Sequence, residues 1–382
     1  MKEFKKYFSA FLIISLGFIP FIPDFGVIDL IATHFFYISF IQILISLYLL
    51  ILGDNLPISI NKIDIFYIMF LLFGIISFIN TFNQTESIIE WIKYFTLFLT
   101  YFNLKILFTN FHAPEKIFIS IFLVLFALES IYVFKIYLEN YSYQGALERS
   151  RLLSGLSSNQ NIAAFSILIK TPIVIYYFNK TKKKILKAFS FILVSIAIFD
   201  ILIISSRGAI LGLLILLFNL FIIDFRNKNN NKLRFRQSFI FTSLFFVISI
   251  LQIGLYENKS ELKVINRISN YEDTSVSQRI KYIQTSFDLI ADNPITGVGI
   301  GNWKILSIRD IPGGIKQYEV PYFAHNDFLQ VFSEIGIFGF LSYFLILFAP
   351  IFFLIKNFYL NKNSSRIEPY IAISLLIFVL DS

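Results

Sequence analysis

The chain of 382 residues contains no cysteine and only two methionines. The lack of cysteine excludes disulfide bonds, thiolate nucleophiles and cysteine-based metal sites. Charged residues are also scarce, at 15%, whereas 56% of the residues are hydrophobic and the mean hydropathy is +0.71. Soluble domains do not have such a composition. The sequence therefore predicts an integral membrane protein that crosses the bilayer many times.

Ten apolar segments approach the length of about 20 residues that a membrane-spanning helix needs. The first follows a basic N-terminus, as in a signal peptide, but no small-residue cleavage site follows it, so we interpret it as a helix. An eleventh apolar segment starts near residue 369 and is shorter than a span, so we expect a natural homologue to continue past Ser382. The predicted fold class is an all-α polytopic membrane protein with about 10–12 transmembrane helices. The ten segments are 7–23, 33–53, 64–80, 90–109, 117–138, 162–179, 188–205, 208–223, 237–255 and 332–355.

The basic residues predict the orientation, because lysine and arginine in short loops are retained in the cytoplasm. With the N-terminus inside, most basic residues fall on the cytoplasmic side, and the opposite short loops contain only Arg149, Arg151 and Arg207. The one long loop, roughly 256–331, then lies outside. Topology thus accounts for the net charge of +8, and we predict membrane lipids but no nucleic acid as partners.

The stretch ISSRGAILGLLI, residues 204–215, places Arg207 between two apolar helices at an external membrane boundary, where Gly208 permits a tight turn. An arginine at that depth is costly unless it finds an anion. It would either extend to lipid headgroups or bind a phosphate with two parallel hydrogen bonds. The residues alone leave both interpretations open.

The loop YQGALERSRLLSGLSSNQNIAAFSILI, residues 143–169, brings Arg149 and Arg151 to the same external face. Asn159 and Asn161 follow just before an apolar run. Asparagine in this position is commonly a helix N-cap, which is the plain alternative to substrate binding.

In the long loop, apolar residues recur at roughly helical spacing between Arg279 and Asp292, and Asn293-Pro294 ends the pattern. This predicts an amphipathic helix on the membrane surface with Arg279 in its first turn. Three glycines then alternate along the chain and would allow close backbone approach, either to phosphate oxygens or in a simple turn. They are Gly297, Gly299 and Gly301.

The stretch AHNDFLQVFSEIGIFGFLSYF, residues 324–344, joins polar residues to a long apolar run. His325 stands just outside the predicted helix, beside Asn326 and Asp327, on the external face. An imidazole can accept a proton near neutral pH, and Asp327 or a backbone carbonyl could fix its tautomer. Asp327 would equally serve as a negative charge at a helix N-terminus. The two other histidines lie in or beside apolar segments, where we expect them to pack: His34 and His112.

Three stretches in this order, with a large external loop between the first and the last, resemble the O-antigen ligase and polymerase superfamily. They are SSRGAILGLLI, RIKYIQTSFDLIADNPITGVGIGNW and HNDFLQVFSEIGIFGFLSYF, and the resemblance extends over roughly 145–355. The family comprises metal-independent bacterial membrane glycosyltransferases that pass a glycan from undecaprenyl pyrophosphate to an acceptor at the periplasmic face. The stretch GLSSNQNIAAF is similar to the family's Gly-x-x-x-Asn-x-Asn entry to a helix.

The resemblance implies that His325 is the catalytic histidine and that Arg207 and Arg279 bind the donor pyrophosphate. It implies no cofactor and no metal, and arginines already in position can stabilise the growing negative charge. We expect direct attack with inversion at the anomeric carbon, since no carboxylate stands out as a nucleophile. The carboxylates considered are Glu257, Glu272, Asp273 and Glu334; further candidates for substrate binding are Arg149, Arg151, Asn161, Gly299, Gly301, Asn326 and Asp327.

On this basis the chain divides into N-terminal transmembrane helices at 1–140, a ligase- or polymerase-like core at 141–355 that includes the periplasmic loop 256–331, and a cytoplasmic loop with an incomplete final helix at 356–382. The implied location is the bacterial inner membrane, with the N-terminus in the cytoplasm and the active face in the periplasm. The implied donor is an undecaprenyl-pyrophosphate-linked glycan.

The acceptor stays open. Lipid A-core would make the protein a ligase, a second lipid-linked glycan a polymerase, and a protein hydroxyl a protein O-oligosaccharyltransferase. From a different class, a transporter of small solutes or bicarbonate would also have ten or more helices, but it should carry charges at the bilayer midplane. Glu129, Lys135 and Asp200 are the ionisable residues at such depth and show no evident pairing. The external cluster of arginine, glycine and histidine favours the enzyme.

Overall fold

The computed structural model describes residues 2–22, 30–52, 59–109, 114–139, 153–156, 159–226, 236–256, 274–308, 321–360 and 367–381. Within these ranges the secondary structure is helical and contains no strand. The predicted all-α fold is confirmed. The α-helices are α1 (Lys2–Gly17), α2 (Leu30–Leu52), α3 (Lys62–Ile76), α4 (Gln84–Thr109), α5 (Pro114–Glu139), α6 (Gln160–Lys180), α7 (Lys184–Ile204), α8 (Arg207–Arg226), α9 (Arg236–Tyr256), α10 (Thr274–Asp292), α11 (Trp303–Leu306), α12 (Asp327–Leu360) and α13 (Glu368–Asp381).

Seven of the described helices are long and apolar enough to cross a membrane. They coincide with seven of the ten predicted spans. The other three predicted spans overlap α1, α4 and α9. The apolar parts of α1 and α9 are shorter than a span, and the predicted span 7–23 runs past Gly17, where α1 ends. The protein is therefore a multi-pass membrane protein, whereas the number of 10–12 spans stays a prediction. The seven are Ala32–Ile51, Lys62–Asn80, Pro114–Glu139, Gln160–Lys180, Lys184–Ile204, Arg207–Arg226 and Asp327–Leu360.

The chain packs as two compact units, which we describe separately. The first unit includes Met1–Pro114 and Tyr271–Pro350, and the second includes Glu115–Asn270 and Ile351–Asp381. This division reflects packing. The predicted division at residues 140 and 355 concerns function and stays a prediction.

The first unit contains α1 to α4, α10 and the N-terminal part of α12. Inside it, the buried amide of Asn103 on α4 donates hydrogen bonds to Gln42 Oε1 at 2.9 Å and to Ser46 Oγ at 3.1 Å, both on α2. Hydrogen bonds between apolar helices hold them together in lipid, because polar groups there cannot form hydrogen bonds with water.

In the second unit, α6 is the most buried span and packs against α7, α8 and α13. Lys170 Nζ lies 2.8 and 3.0 Å from the two carboxylate oxygens of Glu129 on α5, and Ser166 Oγ donates to the same carboxylate at 3.0 Å. Glu129 therefore has a partner that its sequence neighbours did not indicate. Lys135 instead lies 3.5 Å from Glu139, one turn further along α5.

Candidate active site

His325 occupies an unusual backbone conformation. Its φ is +55°, and among the described residues Ser205 is the only other residue besides glycine with a positive φ. Left-handed backbone is uncommon for residues with a Cβ and often marks a functional site. The side chain is exposed and stands directly before α12. The structure thus places His325 just outside a helix, as the sequence predicts.

The two residues after His325 start α12. Asn326 Oδ1 accepts the backbone N–H of Leu329 at 2.9 Å, which makes Asn326 the N-cap of the helix. Asp327 is the first helical residue, and its carboxylate has a long 3.5 Å contact from the hydroxyl of Tyr343. In the described residues no hydrogen bond joins Asp327 to His325. Asp327 therefore lies where a helix N-terminus favours negative charge, and a role in fixing the tautomer of His325 has no support in this geometry.

α10 contributes the groups that face His325. The ring of Tyr282 is stacked on the imidazole, with the ring centroids 5.9 Å apart and the planes 25° apart. Partial loss of hydration lowers the pKa of His325 below its usual value, and the positive charge of Arg279 lowers it further. Arg279 and His325, both predicted site residues, are thus brought together in the first unit. At neutral pH the imidazole is neutral and able to accept a proton.

Trp303 packs against Tyr282. The two rings meet edge to face at 5.7 Å and 88°. Trp303 is fully buried, and its indole N–H donates to Ser286 Oγ at 2.9 Å. Its backbone N–H donates to Glu334 Oε1 at 3.1 Å. The sequence analysis did not identify Tyr282 and Trp303 as site residues. The one local indication is that Tyr282 and Ser286, the two residues that Trp303 contacts, are four residues apart and therefore lie on one face of the helix.

The glycine-rich stretch forms a joint with α12. This helix is kinked at Gly336, whose φ is +76° and ψ is −175°, so that carbonyls near the kink are available to other partners. The N–H of Val298 donates to Ser333 O at 2.9 Å, that of Gly299 to Glu334 O at 3.0 Å, and that of Ile337 to Pro294 O at 2.9 Å. The loop thus completes the hydrogen bonding of the kinked helix.

This joint changes the interpretation of Gly299 and Gly301. The N–H of Gly301 donates to the buried carboxylate of Glu334 at 2.9 Å, and that of Gly299 is bonded to the Glu334 carbonyl. Phosphate binding through these N–H groups would require both bonds to break. Substrate contact by the two glycines stays a prediction, which these bonds disfavour.

The turn after α3 holds the same loop from another side. The side-chain amide of Asn80 donates to Asn293 Oδ1 at 3.1 Å, to Thr296 Oγ1 at 2.6 Å and to the carbonyl of Gly297 at 3.2 Å. These partners are more than 200 residues away in sequence. Pattern analysis of one sequence could not identify them.

Asn302 makes a second connection to this turn. Its fully buried amide donates to Thr81 Oγ1 and Ser87 Oγ, each at 2.7 Å, and its Oδ1 accepts the N–H of Asn83 at 2.7 Å. A buried amide with its donors and acceptor all satisfied fixes a loop in one position. The loop that contains Asn302 and Trp303 is therefore held in one position.

Arg207 and Asn161 belong to the second unit. Asn159 is the N-cap of α6, with its Oδ1 accepting the N–H of Asn161 at 2.8 Å, as the plain alternative predicts. Arg207 is the first residue of α8 and follows the left-handed Ser205. A Cβ on Gly208 would lie 3.0 Å from the ring of Phe165 on α6. The absent side chain thus lets the N-terminal ends of α6 and α8 pack side by side.

Other sequence candidates have different outcomes. Arg149 and Arg151 lie outside the described residues, as do His112 and the carboxylates Glu257, Glu272 and Asp273. Glu334 is buried and engaged with the loop, so it is not available as a nucleophile. In the described residues, no group of three or more histidine or acidic side chains could hold a metal ion.

Residues 192–344 match the family model described as O-antigen ligase, and no curated protein matches the chain. The matched segment runs from α7 to the middle of α12 and contains Arg207, Arg279 and His325. The resemblance to the O-antigen ligase and polymerase superfamily is confirmed over this segment. Arg149, Arg151 and Asn161 precede it.

Proposed function

We propose that this multi-pass bacterial membrane protein transfers a glycan from undecaprenyl pyrophosphate to an acceptor hydroxyl at the periplasmic face of the inner membrane. The observation that carries the proposal is the exposed, left-handed His325, stacked on Tyr282 beside Arg279, inside a segment that matches the O-antigen ligase family. The family match supports glycosyl transfer in general. Donor, acceptor and orientation are the finer parts of the proposal.

In the proposed reaction, the imidazole of His325 accepts the proton of the acceptor hydroxyl while the hydroxyl oxygen attacks the anomeric carbon of the donor. The bond between that carbon and the phosphate oxygen breaks, and its electron pair leaves with the pyrophosphate. The configuration at the carbon is inverted. A lowered pKa of His325 supports this role, because a base must be unprotonated before it acts.

The negative charge that grows on the leaving pyrophosphate needs fixed positive partners. We assign this role to Arg279 and Arg207, whose guanidinium groups can each bind two phosphate oxygens. Arg279 is supported by its electrostatic effect on His325. The assignment of Arg207 is supported by the resemblance and by its place at a helix N-terminus, where anions are favoured.

We further propose that the reaction needs no metal ion, since arginines would supply the charge stabilisation. A second lipid-linked glycan or lipid A-core is the proposed acceptor, and a protein hydroxyl is the alternative. Transport of a small solute is less well supported. The buried Glu129 and the partly buried Lys170 bind each other and Ser166, as expected of a structural pair within a helix bundle.

The test is complementation of a deletion strain with the wild type and with His325→Ala, at matched abundance in the membrane. His34→Gln serves as the control for loss of a histidine. Surface glycans and glycoproteins are separated on gels, and loss of long chains only indicates a polymerase, loss of all chains a ligase, and loss of protein-linked sugar a protein glycosylation enzyme. A normal pattern with His325→Ala would exclude the proposed base.

A further inference from the structure

The imidazole of His325 needs a partner that fixes its direction, because a base acts only when its nitrogen points at the proton. In catalytic histidines this partner is often a carboxylate or a carbonyl that accepts from the other ring nitrogen. Among the described residues no hydrogen bond to the imidazole exists, and Asp327 is turned toward Tyr343. The side chain that contacts the ring is Tyr282.

We propose that Tyr282 is the positioning residue of His325: the face of its ring holds the imidazole in the direction that the reaction needs. This inference rests on the proposed function, since it assumes that His325 is the base. The ring separation of 5.9 Å and the angle of 25° are within the range of favourable offset stacking. Tyr282 acts on the acceptor only through His325.

Tyr282 can position another ring only if it is itself held. Trp303 does this, because it packs against Tyr282 edge to face and binds Ser286, one turn later on α10. Both contacts are to the same helix, so Trp303 fixes the orientation of the Tyr282 side chain relative to α10. Full burial of Trp303 leaves it no alternative position.

The two sides of the stack are tied to the same helix. His325 directly precedes α12, and Trp303 is bound through its backbone N–H to Glu334 on α12. The contacts thus form a closed circuit from His325 through α12, Glu334, Trp303 and Tyr282 back to His325. A closed circuit fixes the distance between the two stacked rings more firmly than a single contact does.

Among the described residues, the charged and titratable groups that act on His325 are Arg279 and Tyr282 from α10, whereas the neighbouring Asp327 on α12 contacts Tyr343. Arg279 acts through charge at a distance and does not orient a ring. Asp327 has its own partner. The stacking face of Tyr282 is therefore the feature that restrains the plane of the imidazole.

The test uses the low histidine content of the chain. With only three histidines, the double substitution His34→Gln and His112→Gln leaves His325 as the single histidine. Isotope-labelled histidine in the purified full-length protein then reports the pKa and the mobility of this ring by NMR. The variants are Tyr282→Phe, which keeps the ring, and Tyr282→Leu, which removes it. Gln284→Leu, at an exposed position of α10, is the control.

We expect Tyr282→Leu to increase the mobility of the imidazole, to shift its pKa upward toward about 6.5, and to lower kcat about three- to tenfold with little change in KM. Tyr282→Phe and Gln284→Leu should behave like the parent protein in all three measurements. Rescue by phenylalanine would identify the stacked ring, and not the hydroxyl, as the positioning element. If Tyr282→Leu does not fold, Tyr282→Met takes its place.

Two results would overturn the inference. An imidazole of unchanged mobility and pKa in Tyr282→Leu would show that another group holds His325, and equal loss in Tyr282→Phe and Tyr282→Leu would assign the effect to the hydroxyl. Failure of the proposed function looks different: transfer then persists in His325→Ala, whereas the NMR result on the ring does not depend on turnover.

Discussion

Replacement of Gly336 by alanine should disconnect the glycine-rich loop from α12. The φ of +76° with ψ of −175° belongs to a region that only glycine occupies readily. A Cβ at this position would lie 2.1 Å from the carbonyl oxygen of Ile295 and 2.8 Å from the N–H nitrogen of Thr296. Both are backbone atoms, so no side chain can move aside. The loop itself must move.

The cost follows from the bonds that the loop makes at the kink. Movement breaks the three backbone hydrogen bonds between residues 294–299 and residues 333–337. Bonds of this kind contribute about 0.5–1.5 kcal/mol each, so the free energy of unfolding should fall by roughly 1.5–4.5 kcal/mol. For a unit of this size the unfolding midpoint should fall by roughly 5–15 °C.

The assay is thermal unfolding of the purified protein in detergent, together with glycan transfer. Gly74→Ala is the matched control, because Gly74 lies in the regular helix α3 and its Cβ would meet only side-chain atoms, of Trp91 at 3.1 Å and of Ile300 at 3.7 Å. Gly297→Ala is informative as a second variant, since its Cβ would lie 2.3 Å from the Glu334 carbonyl at the same joint. The double variant should then be little worse than the worse single one. A Gly336→Ala protein with wild-type midpoint and activity would refute the reasoning.

Three further predictions concern charge. The kcat/KM of transfer should increase with pH as His325 loses its proton and should already be at its plateau near neutrality, because the pKa of His325 is lowered in the free protein. Arg279→Lys should keep this acid limb in place, whereas Arg279→Gln should move it to higher pH, as measured by kcat/KM for the donor against pH. Glu129→Gln should destabilise the second unit by up to about 3–5 kcal/mol by leaving the largely enclosed Lys170 without its charged partner, and Glu129→Gln with Lys170→Met should recover much of this in thermal unfolding. Transfer by purified protein should persist in excess EDTA, and loss of activity that Mg²⁺ restores would contradict the metal-independent mechanism.

Local patterns explain what was predictable from the sequence. The apolar spacing after Arg279 and the stop at Asn293-Pro294 predict a helix that the structure contains as α10, with the same last residue, Asp292. Its first residue, Thr274, precedes the predicted start, because polar residues at a helix N-terminus carry no apolar period. The length of the apolar runs likewise located the seven described helices that are long and apolar enough to cross a membrane.

Long-range contacts explain what was not predictable. Glu129 finds Lys170 on another helix, and the glycine-rich loop finds Asn80 and Glu334. None of these pairs is close in sequence. The residues around each partner predict an ordinary local role for it and give no indication of the distant contact. From the sequence alone, Tyr282 is indistinguishable from other aromatic residues of an amphipathic helix. Its contact with His325 depends on how α10 meets the start of α12.

The hydrogen bonding at the glycine-rich loop explains why the proposed donor site depends on arginine side chains. The N–H groups of Gly301 and Trp303 converge on one carboxylate, as in the backbone nests that bind phosphate in other proteins. Here the acceptor is internal, because the carboxyl group of Glu334 fills that position from α12. A pyrophosphate that approached this loop would find these donors already paired. Arg279, by contrast, is exposed on α10 beside His325, so it can offer its guanidinium group to the donor without breaking a contact of the loop.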